Sequence, residues 1–372
     1  MKYRLSQPEI SEEEINAVTN VLRSEFFGMG KQVASFEEKL AEFFNRESLC
    51  VSTGTAAVQL GLIGAGIKPG DEVLVPSLTF VATFQAISAT GAIPISCDIS
   101  ADSLQIDLKD AQKRVTGKTK AIMPVYFAGA TNCLDTVLDF GKSHNLRVVA
   151  DAAHAFGSKH KGKLVGSFGD ISCFSFDGIK NITSGEGGCI VTDDKEAMNR
   201  IRDARLLGVM GDSEKRKNGE RSWDFDVQQQ GWRLHMSDIF AAIGIVQLEK
   251  LAQNAKKRQE LFDRYQSNLL TNPRISLFDW STADGMVPHI FVLRIPGLKD
   301  RNKLRLQLED SGIPSGVHYK PNHLLSFFRS AYELPVTEAI YPEILTLPLQ
   351  TRLEFSDIDA ICEILEDNLV GI

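Results

Sequence analysis

A chain of 372 residues, 43% hydrophobic and 24% charged, carries enough apolar material for one large domain and a smaller one. Its net charge of -7, with no long basic run, argues against nucleic acid or an anionic membrane as the main partner. The apolar stretches are strand-length and interrupted by polar residues, so no transmembrane helix is expected.

The N-terminal stretch Met1-Lys-Tyr-Arg-Leu-Ser-Gln-Pro8 lacks the apolar core of a signal segment. Residues 35–44 have helical periodicity, and Ser35 with Glu38 has the form of a capping box. A strand is expected at 49–52 and a helix at 55–64. Further strands are expected at 72–76, 93–97, 121–126 and 147–150, with helices near 79–90, 108–114 and 134–144 between them. Buried strands separated by helices of this length predict an α/β fold built on a mainly parallel sheet covered on both faces. Residues 195–207 read as helix, and the polar stretch 211–230 as a long exposed loop of a kind that is usually functional. A long helix is expected over 237–269, its apolar stripe made by Ile239, Ala242, Ile243, Val246 and Leu251. A strand at 289–295 and helices at 302–310 and 356–368 then form a smaller C-terminal α/β unit. The expected division is 1–250 for the large domain and 251–372 for the small one. Cys50, Cys97, Cys133, Cys173, Cys189 and Cys362 lack paired spacing, which predicts free thiols in a reduced, cytoplasmic protein and no zinc site.

In a sheet of this kind ligands gather at the carboxyl ends of the strands. Ser52, Asp151 and the segment 175–180 all fall at such ends. A lone lysine is ordinarily solvated, but Lys180 follows the apolar run Ile171-Ser-Cys-Phe-Ser-Phe176 and precedes the glycine-rich Thr183-Ser-Gly-Glu-Gly-Gly188. Its amine can form a Schiff base with a carbonyl, and Asp151, 29 positions earlier, can hold a pyridinium proton instead of merely capping a turn. Together they are what a pyridoxal phosphate (PLP) enzyme requires of its protein. His154 follows Asp151 closely enough to face the same ring. In Ser52-Thr-Gly-Thr-Ala-Ala57 the N–H groups of a helix start, at Gly54, Thr55 and Ala56, can bind phosphate. The Ser175 hydroxyl serves the same group, and strand alternation sets Ser175 and Asp177 on one face with Phe174 and Phe176 on the other. The 183–188 run is either a second phosphate cradle or a reversing turn. Phe80 is either core packing or a lid over a planar ring. His318, Tyr319 and His323 crowd a loop that suits substrate contact better than a metal, for which no third ligand is spaced. Arg233 and His235 suit phosphate contact.

These motifs, in this order, resemble the DegT/DnrJ/EryC1/StrS family of nucleotide-sugar aminotransferases. The likeness runs from Gly28-Met-Gly-Lys-Gln-Val33 through Gly54-Thr-Ala-Ala57, Pro76-Ser-Leu-Thr-Phe80, Asp151-Ala-Ala-His-Ala155 and Lys180-Asn…Gly185-Glu-Gly-Gly188. It continues to Met236-Ser-Asp-Ile239, Gln247-Leu-Glu249 and His318-Tyr319…His323. The resemblance implies the type I aminotransferase fold, PLP and its pyridoxamine form (PMP) as cofactor, L-glutamate as amino donor, and a homodimer with shared active sites. It implies Lys180 as the Schiff-base lysine, Asp151 at the pyridine nitrogen, His154 beside the ring hydroxyl and Phe80 stacked on the ring. Thr55 and Ser175 would hold the phosphate, joined from the other subunit by Arg233, where many relatives have asparagine. Asp177 stands where many relatives have histidine or tyrosine. Relatives that dehydrate have histidine in place of the lysine, so Lys180 implies transamination. The Ile179-Lys-Asn-Ile-Thr183 run is most similar to the branch that aminates C4 of nucleotide-linked keto sugars for cell-surface polysaccharides such as O-antigen and lipopolysaccharide. C3 amination, PMP-dependent dehydration and a non-catalytic PLP-binding regulator remain as alternatives.

Overall fold

The computed structural model describes residues 3–217, 220, 223–280 and 285–369. The chain opens with helices α1 (Glu12–Arg23) and α2 (Lys31–Phe44), strand β1 (Ser48–Val51) and helix α3 (Gly54–Gly64). Strand and helix then alternate through β2 (Glu72–Pro76), α4 (Val81–Ala89), β3 (Ile93–Cys97), α5 (Leu108–Arg114), β4 (Thr119–Ile122), α6 (Leu134–His144) and β5 (Arg147–Asp151). A small hairpin, β6 (Lys159–His160) and β7 (Lys163–Leu164), precedes β8 (Ile171–Ser175) and β9 (Gly188–Val191). The seven long strands form one sheet in the order β1-β9-β8-β5-β4-β2-β3. β3, β2, β4, β5 and β8 run parallel, and β9 is antiparallel to both its neighbours, β8 and β1. The expected mainly parallel sheet is present, and all six cysteines are free and buried.

Helix α3 lies against one face of this sheet and is apolar nearly all round because it is covered on both sides, by β8 and by α7 (Lys195–Ala204). Gly61 lets it lie close: a Cβ there would stand 2.6 Å from the Cys173 sulfur. On the other face α2 buries Val33, Phe36, Leu40 and Phe44 with Phe156, Phe174 and Phe176. A short helix α8 (Asp212–Lys217) follows, and then the 32-residue α9 (Asp238–Leu269), about 48 Å long at 1.5 Å per residue.

The C-terminal segment adds β10 (Phe291–Arg294), α10 (Arg301–Asp310), α11 (Pro335–Ile340), β11 (Ile344–Leu347) and α12 (Phe355–Leu369). β10 and β11 pair antiparallel, and their apolar residues join Leu261, Phe262, Tyr265 and Leu269 of α9 with Leu304, Leu308, Ile361 and Leu365 in one cluster.

Three local expectations are corrected. Helix α2 begins at Lys31, four residues before Ser35, so the capping box does not form; the Gly30 and Val33 N–H groups donate instead to Asp238 Oδ1, at 2.8 and 3.1 Å. The strand expected over 121–126 ends at Ile122, two residues before Pro124, which has no N–H for a ladder. The loop expected over 211–230 contains α8, with Arg216 paired to the buried Asp212 at 2.6 Å; residues 218, 219, 221 and 222 lie outside the described ones.

One buried ion pair ties α2 to the end of α7: Arg205, fully buried, bonds Glu37 and the Cys50 carbonyl at 2.8 Å. Arg205→Leu removes the opposite charge from the buried Glu37 carboxylate, whose Oε1 keeps the Cys50 N–H at 2.9 Å, and is expected to lower unfolding stability by about 3 kcal/mol, measured by urea unfolding.

Candidate active site

A cavity of about 550 Å³ opens at the carboxyl ends of β1, β2, β5 and β8. Gly54, Thr55, Phe80, Asp151, His154, Ser175, Asp177, Lys180, His318 and Tyr319 all line it. Parallel strands bring them together: β5 and β8 pair with Asp151 opposite Cys173, so their carboxyl ends deliver Asp151 and Ser175 side by side.

The start of α3 forms one wall. Thr53 caps the helix, its hydroxyl accepting from the Ala56 N–H at 3.0 Å, and its carbonyl accepts from the Ala57 N–H. Ala56 is thus engaged within the helix start and lines no part of the cavity. The N–H groups ahead of it, on Gly54 and Thr55, belong to the first turn, where no intrahelical acceptor exists. Gly54 is packed on Ser175, and a Cβ at Gly54 would stand 2.6 Å from Ser175 Cβ and 2.8 Å from its hydroxyl. An anion here meets helix-start N–H groups, the positive end of the helix dipole and a serine hydroxyl.

Asp151 forms the floor. Its Oδ2 accepts from the Thr83 hydroxyl at 2.7 Å and its Oδ1 from the Ala153 N–H at 3.2 Å. Burial pushes its carboxyl up, while these two bonds and the Lys180 charge pull it back down. Lys180 follows a turn in which its own N–H bonds the Asp177 carbonyl. Burial lowers its amine to about 8, against the opposing pull of Asp151 and Asp177. The stretch 183–188 folds back on Phe176, with Ser184 N–H donating to the Phe176 carbonyl and Phe176 N–H to that of Gly187. It is a reversing turn, with Gly185 at φ +83.

His154 is held neutral by burial and by the Lys180 charge. The Ala128 N–H donates to its Nδ1 at 3.3 Å, so the ring proton sits on Nε2, which faces the Tyr319 hydroxyl at 2.9 Å. Burial raises the Tyr319 phenol, which keeps its proton. Phe80 is half exposed at the mouth, its ring centroid 5.5 Å from that of Tyr319.

Besides Ala56, two expected residues lie outside the cavity lining. His323 is buried outside the cavity, Nδ1 on the Ser77 hydroxyl at 2.7 Å and Nε2 on Glu338 at 3.2 Å, which leaves no ring nitrogen for a substrate. Arg233 is exposed and does not line the cavity of its own chain. Thr83 and His289 were not singled out in the sequence. His289 Nε2 lies 3.4 Å from Lys180 Nζ, and its only sequence signal is an imidazole opening an apolar run. Glu186 also lines the cavity, its carboxyl raised by burial and by Asp177.

This donor set fits PLP. The glycine cradle and the free helix start suit its phosphate, the buried Asp151 a pyridinium, and the Lys180 amine, partly neutral near pH 8, its aldehyde. Among the described residues no group of histidine, cysteine and carboxylate could hold a metal.

Comparison with known proteins agrees with this chemistry. The model of the DegT/DnrJ/EryC1/StrS aminotransferase family matches residues 8–366. The chain is similar to the spore coat polysaccharide biosynthesis protein SpsC of Bacillus subtilis, 34% identical over 377 residues that cover 98% of this chain and 97% of that protein. It superposes with a TM-score of 0.92 on Helicobacter pylori PseC, an aminotransferase involved in the biosynthesis of pseudoaminic acid, at 27% identity with both chains fully covered. The PLP form of Spr1654 from Streptococcus pneumoniae, described as a sugar aminotransferase, matches with a TM-score of 0.90 and 31% identity over 100% of this chain and 99% of that one. The sheet and helices described above are the type I fold of these enzymes.

Proposed function

Since this chain belongs to the DegT/DnrJ/EryC1/StrS aminotransferase family, we propose that it uses PLP to move an amino group from L-glutamate to C4 of a nucleotide-linked keto-deoxy sugar. The pairing of Lys180 with Asp151 in one cavity carries this conclusion. PLP, when bound, supplies the carbonyl with which a primary amine condenses and a ring that draws off the electron pair of a broken C–H bond. The chain does the rest. Gly54, Thr55 and Ser175 hold the phosphate. Asp151, oriented by Thr83, holds a proton at the pyridine nitrogen. Lys180, once freed, carries the proton from the donor's α carbon. His154, held by Tyr319, would stand beside the ring hydroxyl, and Phe80 would cover the ring. Gly54→Ala forces a methyl onto Ser175, and overpacking of this kind costs about 1–3 kcal/mol. It is expected to weaken PLP binding roughly 5- to 150-fold, read by cofactor titration.

C4 is supported by the Ile179–Thr183 run together with His154, and the name of SpsC, a spore coat polysaccharide biosynthesis protein, supports a role in making a surface polysaccharide. Asp177, His318 and Tyr319 are the groups we assign to the sugar. A homodimer is supported by the exposed Leu207, Met210, Trp223, Phe225 and Val227, on segments bridged at Val209 and Val227, and by Arg233 nearby, which we place in the second subunit's phosphate site. The division into a PLP-binding unit and a small unit falls near residue 250, inside α9. No described helix is long and apolar enough to cross a membrane, and the six thiols are free; we place the enzyme in the cytoplasm.

The decisive measurement is glutamate-dependent amination across a panel of 3-keto and 4-keto nucleotide sugars, with products read by mass. A mass gain on a 4-keto sugar alone is expected. Amination of the 3-keto sugars alone, dehydration, or cofactor binding without turnover would each replace the proposal by the corresponding alternative.

A further inference from the structure

Beneath the cavity lies an imidazole that the mechanism above leaves without a task. His289 is 2% exposed and enters from the segment preceding β10, in the C-terminal half of the chain. Its main chain is clamped on both sides: its N–H donates to the Ala128 carbonyl at 2.9 Å, and its carbonyl accepts from Arg258 Nη1 at 3.2 Å. The ring stands 4.4 Å from that of His154, centroid to centroid, yet makes no use of it, because His154 is occupied by Ala128 and Tyr319. One ring nitrogen, Nε2, lies 3.4 Å from Lys180 Nζ; the other, Nδ1, is buried without a protein partner.

We propose that His289 is a positioning residue for Lys180: its Nε2 accepts a hydrogen bond from Lys180 Nζ, aims the amine into the cavity and sets the pH at which it gives up its proton.

The direction of the bond follows from chemistry. An ammonium has three donors and no acceptor, so next to protonated Lys180 the imidazole nitrogen can only accept, and the ring proton goes to Nδ1. The ring must then be neutral. Burial holds it so, together with the positive charges of Lys180 and of Arg258, which donates to the backbone carbonyls of Pro288, His289 and Leu349. The other groups facing the amine are Asp151 and Asp177, which favour its charged form, and the neutral His154, His318 and Tyr319. Burial disfavours the ammonium. His289 is the neutral acceptor that offsets part of that effect, and it does so without the full negative charge that would lock the proton on. The proton therefore stays available near neutral pH.

The proposal rests on Lys180 as the amine that carries the cofactor, but its measurement does not. In the full-length protein freed of PLP, acetic anhydride acetylates only the neutral amine. The rate of acetylation across a pH series, read by mass spectrometry of the peptide carrying Lys180, gives the midpoint of its titration. The wild-type midpoint is expected near 8. His289→Leu removes the acceptor and is expected to lower it by about one pH unit, a tenfold change in the protonation equilibrium. His289→Gln, whose amide oxygen reaches the same place, is expected to restore most of the difference. His289→Asn, too short to reach, must fall with leucine and serves where leucine does not fold. A midpoint that stays or rises in a folded leucine or asparagine variant overturns the proposal, and so does a glutamine variant that falls as far. Normal turnover in Lys180→Ala would overturn the reading of the site and leave the His289 measurement standing.

Discussion

Lys180→Ala is expected to lower kcat by about 10⁴-fold or more, because one substitution removes both the group that anchors the cofactor and the base that moves the proton. The methyl of alanine leaves the fold in place, since Lys180 makes no ion pair within hydrogen-bond distance among the described residues. Far-UV circular dichroism should therefore match the wild type while the visible absorbance of lysine-bound PLP disappears. The pH profile separates the two roles. With its amine near 8, only about a tenth of wild-type Lys180 is neutral at pH 7. The neutral amine is the base, so the rate should climb with pH and level off above about 8. Adding a small primary amine to Lys180→Ala should restore part of the activity, with a limb at the added amine's own pKa. Turnover within tenfold of wild type would remove Lys180 from the mechanism.

Asp151→Asn is nearly isosteric and keeps an oxygen for the Thr83 hydroxyl, so it removes the charge and the acceptor that faces the Ala153 N–H. Loss of one preorganised electrostatic group costs about 10²–10³ in kcat. A second effect follows from the same charge. Asp151 raises the Lys180 pKa against the larger, lowering effect of burial. Without the carboxylate the ammonium is less favoured, so the rising limb should move to lower pH. A slower enzyme with an unmoved limb would mean that Asp151 and Lys180 do not share an electrostatic site. An enzyme with near-normal kcat would rule out a role at the pyridine nitrogen.

Much of this site was legible because strand ends are legible. Apolar runs closing on Asp151 and Ser175, and a glycine opening a helix at Gly54, mark one edge of a parallel sheet before any coordinates exist. Lys180 was legible through its neighbours, a buried strand before it and a reversing turn after it. Thr83 and His289 were not, because their roles depend on distance alone: Thr83 lies 68 positions from Asp151, and His289 lies 109 from Lys180. Ordinary helix and strand residues carry no mark of such meetings. His323 shows the reverse. Its place beside His318 and Tyr319 in the sequence pointed to substrate, whereas the chain turns it inward to Ser77 and Glu338. The capping box at Ser35 failed for a related reason: a local pattern lost to the distant Asp238 carboxylate.

That carboxylate also bears on how the chain comes off the ribosome. The cap of α2 is supplied 208 positions later, and α1 is clamped through Glu14 to Gln247 and Lys250 of the same helix. At roughly 5–20 residues per second, about 10–40 s of synthesis separate α2 from the residue that caps it. Throughout that interval α2 lacks the α9 surface it finally packs against. The apolar face of the nascent N-terminal segment therefore stays uncovered by α9 for more than half of translation.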